Sequence, residues 1–567
     1  MFCLAAVKRV TPSTVSQLAR SMVRTPRSRP STSSTSLCLA ALACALVGCA
    51  EARNTTTVTT KADDAKSEDP KPQPAASASA PAPAAATSAD VPPPAATASA
   101  ASTPPPEAPA GPRIWAKARF AWIHSEPIPS ESWIGYLAPG TSAPLKGGKL
   151  EAAKVNGGKA CDAWYAIEPR GYVCAGATAT IDENDPAVKI LRRDAADLSS
   201  PWPYQYAESQ GAARYPKKPS RAEQRKIEID LEKHEKLVEK ARLAKTDDEV
   251  KAISKHFVGI DFSPAGKPPP EMLDFSPLLR EEREFIYGGS TVAYVREFDY
   301  EGRTYLLTWD QAVVPKDRVK PYPKSMFHGL VLGKDANLPL AFFRKQPRPK
   351  WKKGDDGHLV KTEETFPRHG WVEITGTRLE QDGKKFVETK EPGIYVLADD
   401  AQIVEAVKEA PWLGTKDPDK QKWVDVRVLE GTLVAYEGLR PVYATMIAPG
   451  RGGIPYDGID PVKTASTPLG IFRVDGKFRT ATMVSSTDSN LVHSEVNYVM
   501  NFHGPHSLHG AYWHDGWGEK KSGGCVNMAP IDAKWVFDWT DPPVPEGWYG
   551  LRAIPEFGRS TIVRVRR

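Results

Sequence analysis

From about Glu51 to Gly111 the chain is built of alanine, proline, serine and threonine with almost no large apolar side chain. Such a stretch cannot bury enough apolar surface to offset the entropy lost on ordering, so it reads as a linker, extended where proline dominates. It constrains the rest of the molecule. Folded sequence starts near Pro112, and whatever precedes Glu51 is joined to it by a tether of roughly 60 residues, just under about 200 Å at the ~3.1 Å per residue of an extended chain and far less as a coil. At 567 residues the chain is also too long for one hydrophobic core, which predicts three or four domains.

Ahead of the linker, Arg24, Arg27 and Arg29 precede a short apolar run, Leu37 to Val47. The run is too short to span a bilayer but fits the apolar core of a signal peptide. It ends at Leu46-Val47-Gly48-Cys49, which resembles a bacterial lipobox and implies that Cys49 is lipidated and becomes the new N-terminus. Cleavage near Ala50 by an ordinary signal peptidase is the alternative. The segment before Arg24 is long for a signal n-region, so Met22 rivals Met1 as the start. Ala50 and Glu51 lack the aspartate that retains some lipoproteins at the inner membrane. The expectation is a signal over 1–49, a linker over 50–111, and a periplasmic protein anchored by lipid, at the outer membrane in a Gram-negative cell.

That compartment sorts the cysteines. Cys3, Cys38 and Cys44 leave with the signal, and Cys49 carries lipid. Cys161 and Cys174 flank a short aromatic segment and are placed to pair under oxidising conditions, two buried thiols being the alternative. Cys525 is left over, and an unpaired cysteine in an exported chain invites a functional explanation. The net charge of +6, from 75 basic and 69 acidic residues, comes with no basic stripe interleaved with aromatics, so no nucleic-acid partner is expected.

Three folded regions follow the linker. Over 112–185, apolar runs (Ile114 to Phe120, Trp133 to Leu137, Trp164 to Ile167, Tyr172 to Cys174) alternate with Gly/Pro turns, a small all-β pattern. Its Ala118-Arg119-Phe120-Ala121-Trp122 and Gly171-Tyr172-Val173 resemble a bacterial SH3-like module. Over 186–420, Ser220-Arg221-Ala222-Glu223 is a capping-box pattern, and Ile227, Leu231, His234, Val238 and Ala241 recur on one face, predicting a helix over about 220–256. Further strands follow from Gly288 to about Val407, with no chemistry apparent in them. Over 421–567, Trp423 to Leu429 alternates apolar with polar residues. The Glu430-Gly431 and Glu437-Gly438 turns then set up an antiparallel meander. The expected fold is mainly β: a C-terminal sandwich with short helices, preceded by small barrels and a helical segment.

Cys525 stands in Ser522-Gly523-Gly524-Cys525-Val526-Asn527-Met528, sixteen residues after His509, in a segment that also holds His503, His506 and His514. A thiol with an ordinary pKa is only partly ionised at neutral pH, and a histidine within reach can take its proton. Together with Thr467-Pro468-Leu469-Gly470-Ile471-Phe472 and His509-Gly510, this order and spacing resemble the L,D-transpeptidase (YkuD) family over roughly the last 145 residues. The family pattern has a histidine two places before the cysteine, where this chain has Gly523.

The resemblance implies a cysteine acyltransferase without cofactor or metal. Cys525 is then the nucleophile, His509 the general base and acid, and the Gly510 carbonyl the group that orients His509. The N–H groups of Gly524 and Cys525 would form the oxyanion hole. Ser522, Gly523, Asn527 and Trp513 would contact substrate or shape the loop, with Trp517 as a second candidate cleft aromatic. The substrate would be a peptidoglycan stem tetrapeptide, cleaved before its terminal D-alanine and held as a thioester. The acceptor would be the amine of a second stem, a lysine of a wall-linked protein, or a free D-amino acid. Water as acceptor would make the enzyme an L,D-carboxypeptidase. A wall-binding lipoprotein with an impaired motif is the reading from a different class.

Overall fold

A computed structural model describes residues 111–128, 133–153, 161, 163–273, 278, 284–411, 418–485 and 490–567. The expected signal, Cys49 and nearly all of the linker lie outside the described residues. The chain is mainly β, as its sequence predicts. No described helix is long and apolar enough to cross a membrane.

Two sheets carry the C-terminal region. The first has six strands in the order Leu330–Val331, Arg440–Met446, Thr432–Glu437, Lys422–Arg427, Ile562–Arg566, Gly470–Arg473. The second has nine, in the order Val526–Met528, His506–Gly510, Val492–His503, Gly476–Val484, Gly550–Arg552, Trp133–Leu137, Ala121–His124, Tyr172–Ala175, Ala163–Ala166. The main core lies between them. Val424 and Val426 of the first sheet meet Tyr498, Met500, Leu508 and Val526 of the second, together with Val536 and Phe537 of the helix Pro530–Trp539. The alternation in Lys422–Arg427 explains this placement, because side chains of a strand point to opposite faces in turn. Trp423 faces a second cluster on the outer side, where Asp425 accepts from Arg564 and Arg566.

The region 112–185, expected as a small all-β module, is built mainly of short strands. Its strand Trp133–Leu137 pairs with Gly550–Arg552, Gly135 opposite Leu551 and Tyr136 opposite Gly550, so it continues the C-terminal sheet. Its core of Ile114, Ile123, Ile134 and Val173 is completed by Trp548 and Leu551. Gly135 makes this approach feasible: a Cβ there would lie 2.5 Å from the Trp548 ring. Most of this core comes from within 112–185, and Trp548 and Leu551 join it from the far end of the chain. Cys161 and Cys174 form a disulfide across the outermost pair of strands in this region.

The single helix expected over 220–256 is also corrected. There are three, Arg221–Ile227, Leu231–Leu243 and Asp247–Ile253. The Ser220–Glu223 capping box is present, and Thr246 caps the third helix through the Glu249 N–H. The first break comes at Glu228, whose carboxylate turns inward to accept from Arg303 and from the Tyr215 hydroxyl, while Ile229 is left 97% exposed. Arg303 also pairs with Asp317, which bonds His234, so the buried charges are mutually satisfied. These helices pack on a five-stranded sheet that includes Gln205–Ser209, Thr291–Tyr300 and Arg303–Thr308. A seven-stranded sheet spans Leu340 to Val404.

Candidate active site

The base strand His506–Gly510 pairs in parallel with Val526–Met528: Leu508 opposite Val526, His509 opposite Asn527, Gly510 opposite Met528. Leu508 and Val526 point into the core. By alternation Ser507 and His509 take the other face, beside Cys525 and Asn527. The expected pair of nucleophile and base therefore sits on one face of two adjoining strands.

His509 is 3% exposed, and its Nδ1 lies 2.9 Å from the Gly510 carbonyl oxygen. A carbonyl only accepts, so Nδ1 carries the hydrogen and Nε2 keeps its lone pair. Burial pushes the His509 pKa down to about 4, with the Gly510 bond opposing. Burial pushes the Cys525 thiol up, opposed by hydrogen bonds from Ser507. Both shifts favour the uncharged forms of the two groups. Cys525 Sγ lies 3.6 Å from Ser507 Oγ and 3.7 Å from the Pro505 carbonyl oxygen. Among the described residues no hydrogen bond joins it to His509. The two residues sit about two strand positions apart, roughly 6.6 Å along the strand.

The nucleophile loop is tied by its own side chains. Ser522 Oγ donates to the Cys525 carbonyl and accepts from the Gly524 N–H at 3.1 Å. The Ser522 N–H donates to Pro449 O, and Asn527 exchanges backbone bonds with Ala448. The Gly524 N–H is already engaged, whereas among the described residues nothing accepts from the Cys525 N–H. Gly524 has φ +130°, and a Cβ there would meet His506 Nε2 and Ser466 O at 2.9 Å, so glycine is required. Gly523 is exposed next to the thiol.

Residues 421–547 match the L,D-transpeptidase (YkuD) catalytic domain. No curated protein matches the sequence. Among solved structures, an Enterococcus faecium L,D-transpeptidase is 22% identical, with 26% of this chain and 50% of that chain covered and a TM-score of 0.19. One from Xylanimonas cellulosilytica is 19% identical over 28% of this chain and 65% of that chain, again at 0.19. One from Mycobacterium tuberculosis H37Rv is 14% identical over 39% of this chain and 76% of that chain, also at 0.19. The chain thus spans about half the length of the Enterococcus protein.

The match to the L,D-transpeptidase domain stops at residue 547, whereas Gly550–Arg552 and Ile562–Arg566 complete both of its sheets. Between base and nucleophile the domain carries the loop 511–521, and residues from outside the domain grip it. The Tyr512 ring stacks on Tyr206 at 3.6 Å, and its hydroxyl lies 2.7 Å from Thr291 Oγ1. Arg368 pairs with Asp515 at 2.8 Å, and Trp517 Nε1 donates to Ser325 at 3.0 Å. The region for which the sequence offered no chemistry therefore holds the loop 511–521 in place.

Within the loop, Trp513 is half-buried, stacked on His493 at 4.3 Å and 5.9 Å from the His509 ring. Asn527 Nδ2 lies 3.1 Å from His514 Nε2. Burial first, with neighbouring positive groups, holds His493 and His514 down to about 4. Asn527 is 2% exposed and Ser522 6%, and the hydrogen bonds of both tie the loop in place. Trp517 is likewise a core residue. His506 Nδ1 donates to His503 O, 3.2 Å away, and its ring lies against Gly524. Among the described residues no group of three or more His, Cys, Asp and Glu is arranged to hold a metal ion. Sequence reasoning missed Ser507. Its place two residues before His509 in a strand is the signal that puts it on the same face.

Proposed function

We propose that the chain is a peptidoglycan L,D-transpeptidase. The observation that carries this reading is the His509 tautomer: with Nδ1–H held by Gly510 O, the Nε2 lone pair is free to act on the strand adjoining Cys525. His509 Nε2 takes the thiol proton as sulfur attacks the carbonyl that precedes the terminal D-alanine of a stem tetrapeptide. The Cys525 N–H receives the oxyanion, a donor of a kind worth about 2.7–4 kcal/mol. The proton passes from His509 to the departing amine, leaving a thioester on Cys525. An acceptor amine then attacks, gives its proton to His509, and the thiol is restored. The domain match over 421–547 supports the reaction class, and exposed Gly523 leaves room beside the thiol for a peptide.

Export and lipidation at Cys49 complete the proposal, the linker carrying the catalytic part from an outer-membrane anchor to the wall. Incorporation of labelled palmitate that is lost in Cys49→Ala would support the anchor; equal labelling in both would remove it. For the reaction, the full chain is incubated with disaccharide-tetrapeptides and products are read by mass spectrometry, beside Cys525→Ala and His509→Ala. Cross-linked dimers are expected, and only from the unsubstituted chain. Tripeptides alone would replace transpeptidation with carboxypeptidation. No turnover, together with no carbapenem adduct on Cys525, would sink the enzyme reading.

A further inference from the structure

Ser507 is 2% exposed, and among the described residues its hydroxyl has Cys525 Sγ as its partner, at 3.6 Å. The sulfur faces two oxygens of opposite capability. Pro505 O, at 3.7 Å, can only accept, so it suits the thiol S–H. The Ser507 hydroxyl can also donate, so it alone of the two can serve a thiolate. The groups around the sulfur are otherwise neutral. The strand His506–Gly510 contributes His506 and His509, both held toward the uncharged form by burial. No carboxylate or cationic side chain hydrogen-bonds the sulfur among the described residues. Stabilisation of negative charge on Cys525 before bond formation therefore falls to the two donors of Ser507, its hydroxyl and its backbone N–H, both of which oppose the upward push of burial.

We propose that Ser507 is the positioning residue for the nucleophile, orienting the Cys525 thiol at rest and donating its O–H to the thiolate as the proton leaves. The proposal rests on the reading of Cys525 as the nucleophile. In the step concerned, the S–H bond breaks, its proton moves to His509 Nε2, the hydroxyl of Ser507 rotates to donate to sulfur, and the electron pair left on sulfur forms the new S–C bond. Nothing is oxidised or reduced. Once the thioester has formed, the hydroxyl is released, and it re-forms the contact when the acceptor restores the thiol.

The test reads the thiol without turnover. The full chain and its variants are alkylated with iodoacetamide from about pH 6 to about pH 10, and modification at Cys525 is quantified by peptide mass spectrometry. Ser507→Ala is expected to move the alkylation midpoint up by about one pH unit and to slow labelling at neutral pH about tenfold. The near-isosteric pair Ser507→Thr and Ser507→Val isolates the hydroxyl should alanine disturb folding: threonine is expected to keep the original midpoint and valine to lose it. A midpoint that is the same in alanine, or the same in threonine and valine, overturns the proposal. The outcome is separable from the reading on which it rests. A shifted midpoint in a chain that never turns over tetrapeptide upholds the Ser507 role and sinks the transpeptidase, whereas turnover with an unshifted midpoint does the reverse.

Discussion

At the level of single residues, the active site starts from an uncharged pair. His509 is buried and held near pH 4, so it stays a free base through the neutral range. The rate constant kcat/KM, which reports the free enzyme, is therefore expected to lose its acid limb only near pH 4, well below the pH 6.5 or so of an ordinary histidine. An acid limb above about pH 6 in initial rates on tetrapeptide would contradict this. Gly524 sets a second condition. Gly524→Ala would place a methyl against Ser466 O and His506 in a conformation at φ +130°. The expected cost is about 1–3 kcal/mol in urea unfolding, with slower labelling of Cys525. Cys525 and His509 were legible in the sequence because the chemistry dictates the residue types and the strand dictates their spacing. The engagement of the Gly524 N–H was not, because it depends on which way one serine side chain, Ser522, is turned.

At the level of elements, the loop 511–521 and the strands Val492–His503 and His506–Gly510 bring three imidazoles together, His514, His493 and His509, each held near pH 4 by burial first. In the unfolded chain the same groups take up protons near pH 6.5. Between about 6.5 and 4 the unfolded state binds more protons, so the stability present above 6.5 is lost as pH falls through this window. Urea midpoints are expected to drop from pH 7 to about pH 5. His493→Phe, which keeps a ring against Trp513 but cannot titrate, is expected to flatten part of that slope; an unchanged slope would remove His493 from the account. The sequence reading of elements succeeded where a pattern is local. The Ser220 cap and the alternation of Lys422–Arg427 are examples. It failed at Glu228, where a distant Arg303 draws the carboxylate inward and ends the helix.

At the level of the whole molecule, the catalytic region is not a detachable piece. Gly550–Arg552 pairs with Trp133–Leu137, Leu330–Val331 extends the six-stranded sheet, and Tyr498 and Asn497 donate to carbonyls at 198–201. A chain cut down to 421–567 is expected to lose its cooperative thermal transition by circular dichroism, while 111–567 keeps it; a sharp transition in the short form would refute the continuity of the sheet as a requirement. The sequence suggested separate modules because periodicity reports which residues are buried in a strand, not which strand lies next to it. The contact between Trp548 and the Glu168 carbonyl joins residues 380 apart. During synthesis at about 5–20 residues per second, roughly 20 to 75 s pass between the appearance of the two. For that interval Ile114, Ile123 and Val173 have no lid, and pairings so remote in sequence form slowly. The first strands to be made are thus among the last to be finished, and the nascent chain depends on being kept from aggregation until its C-terminus arrives.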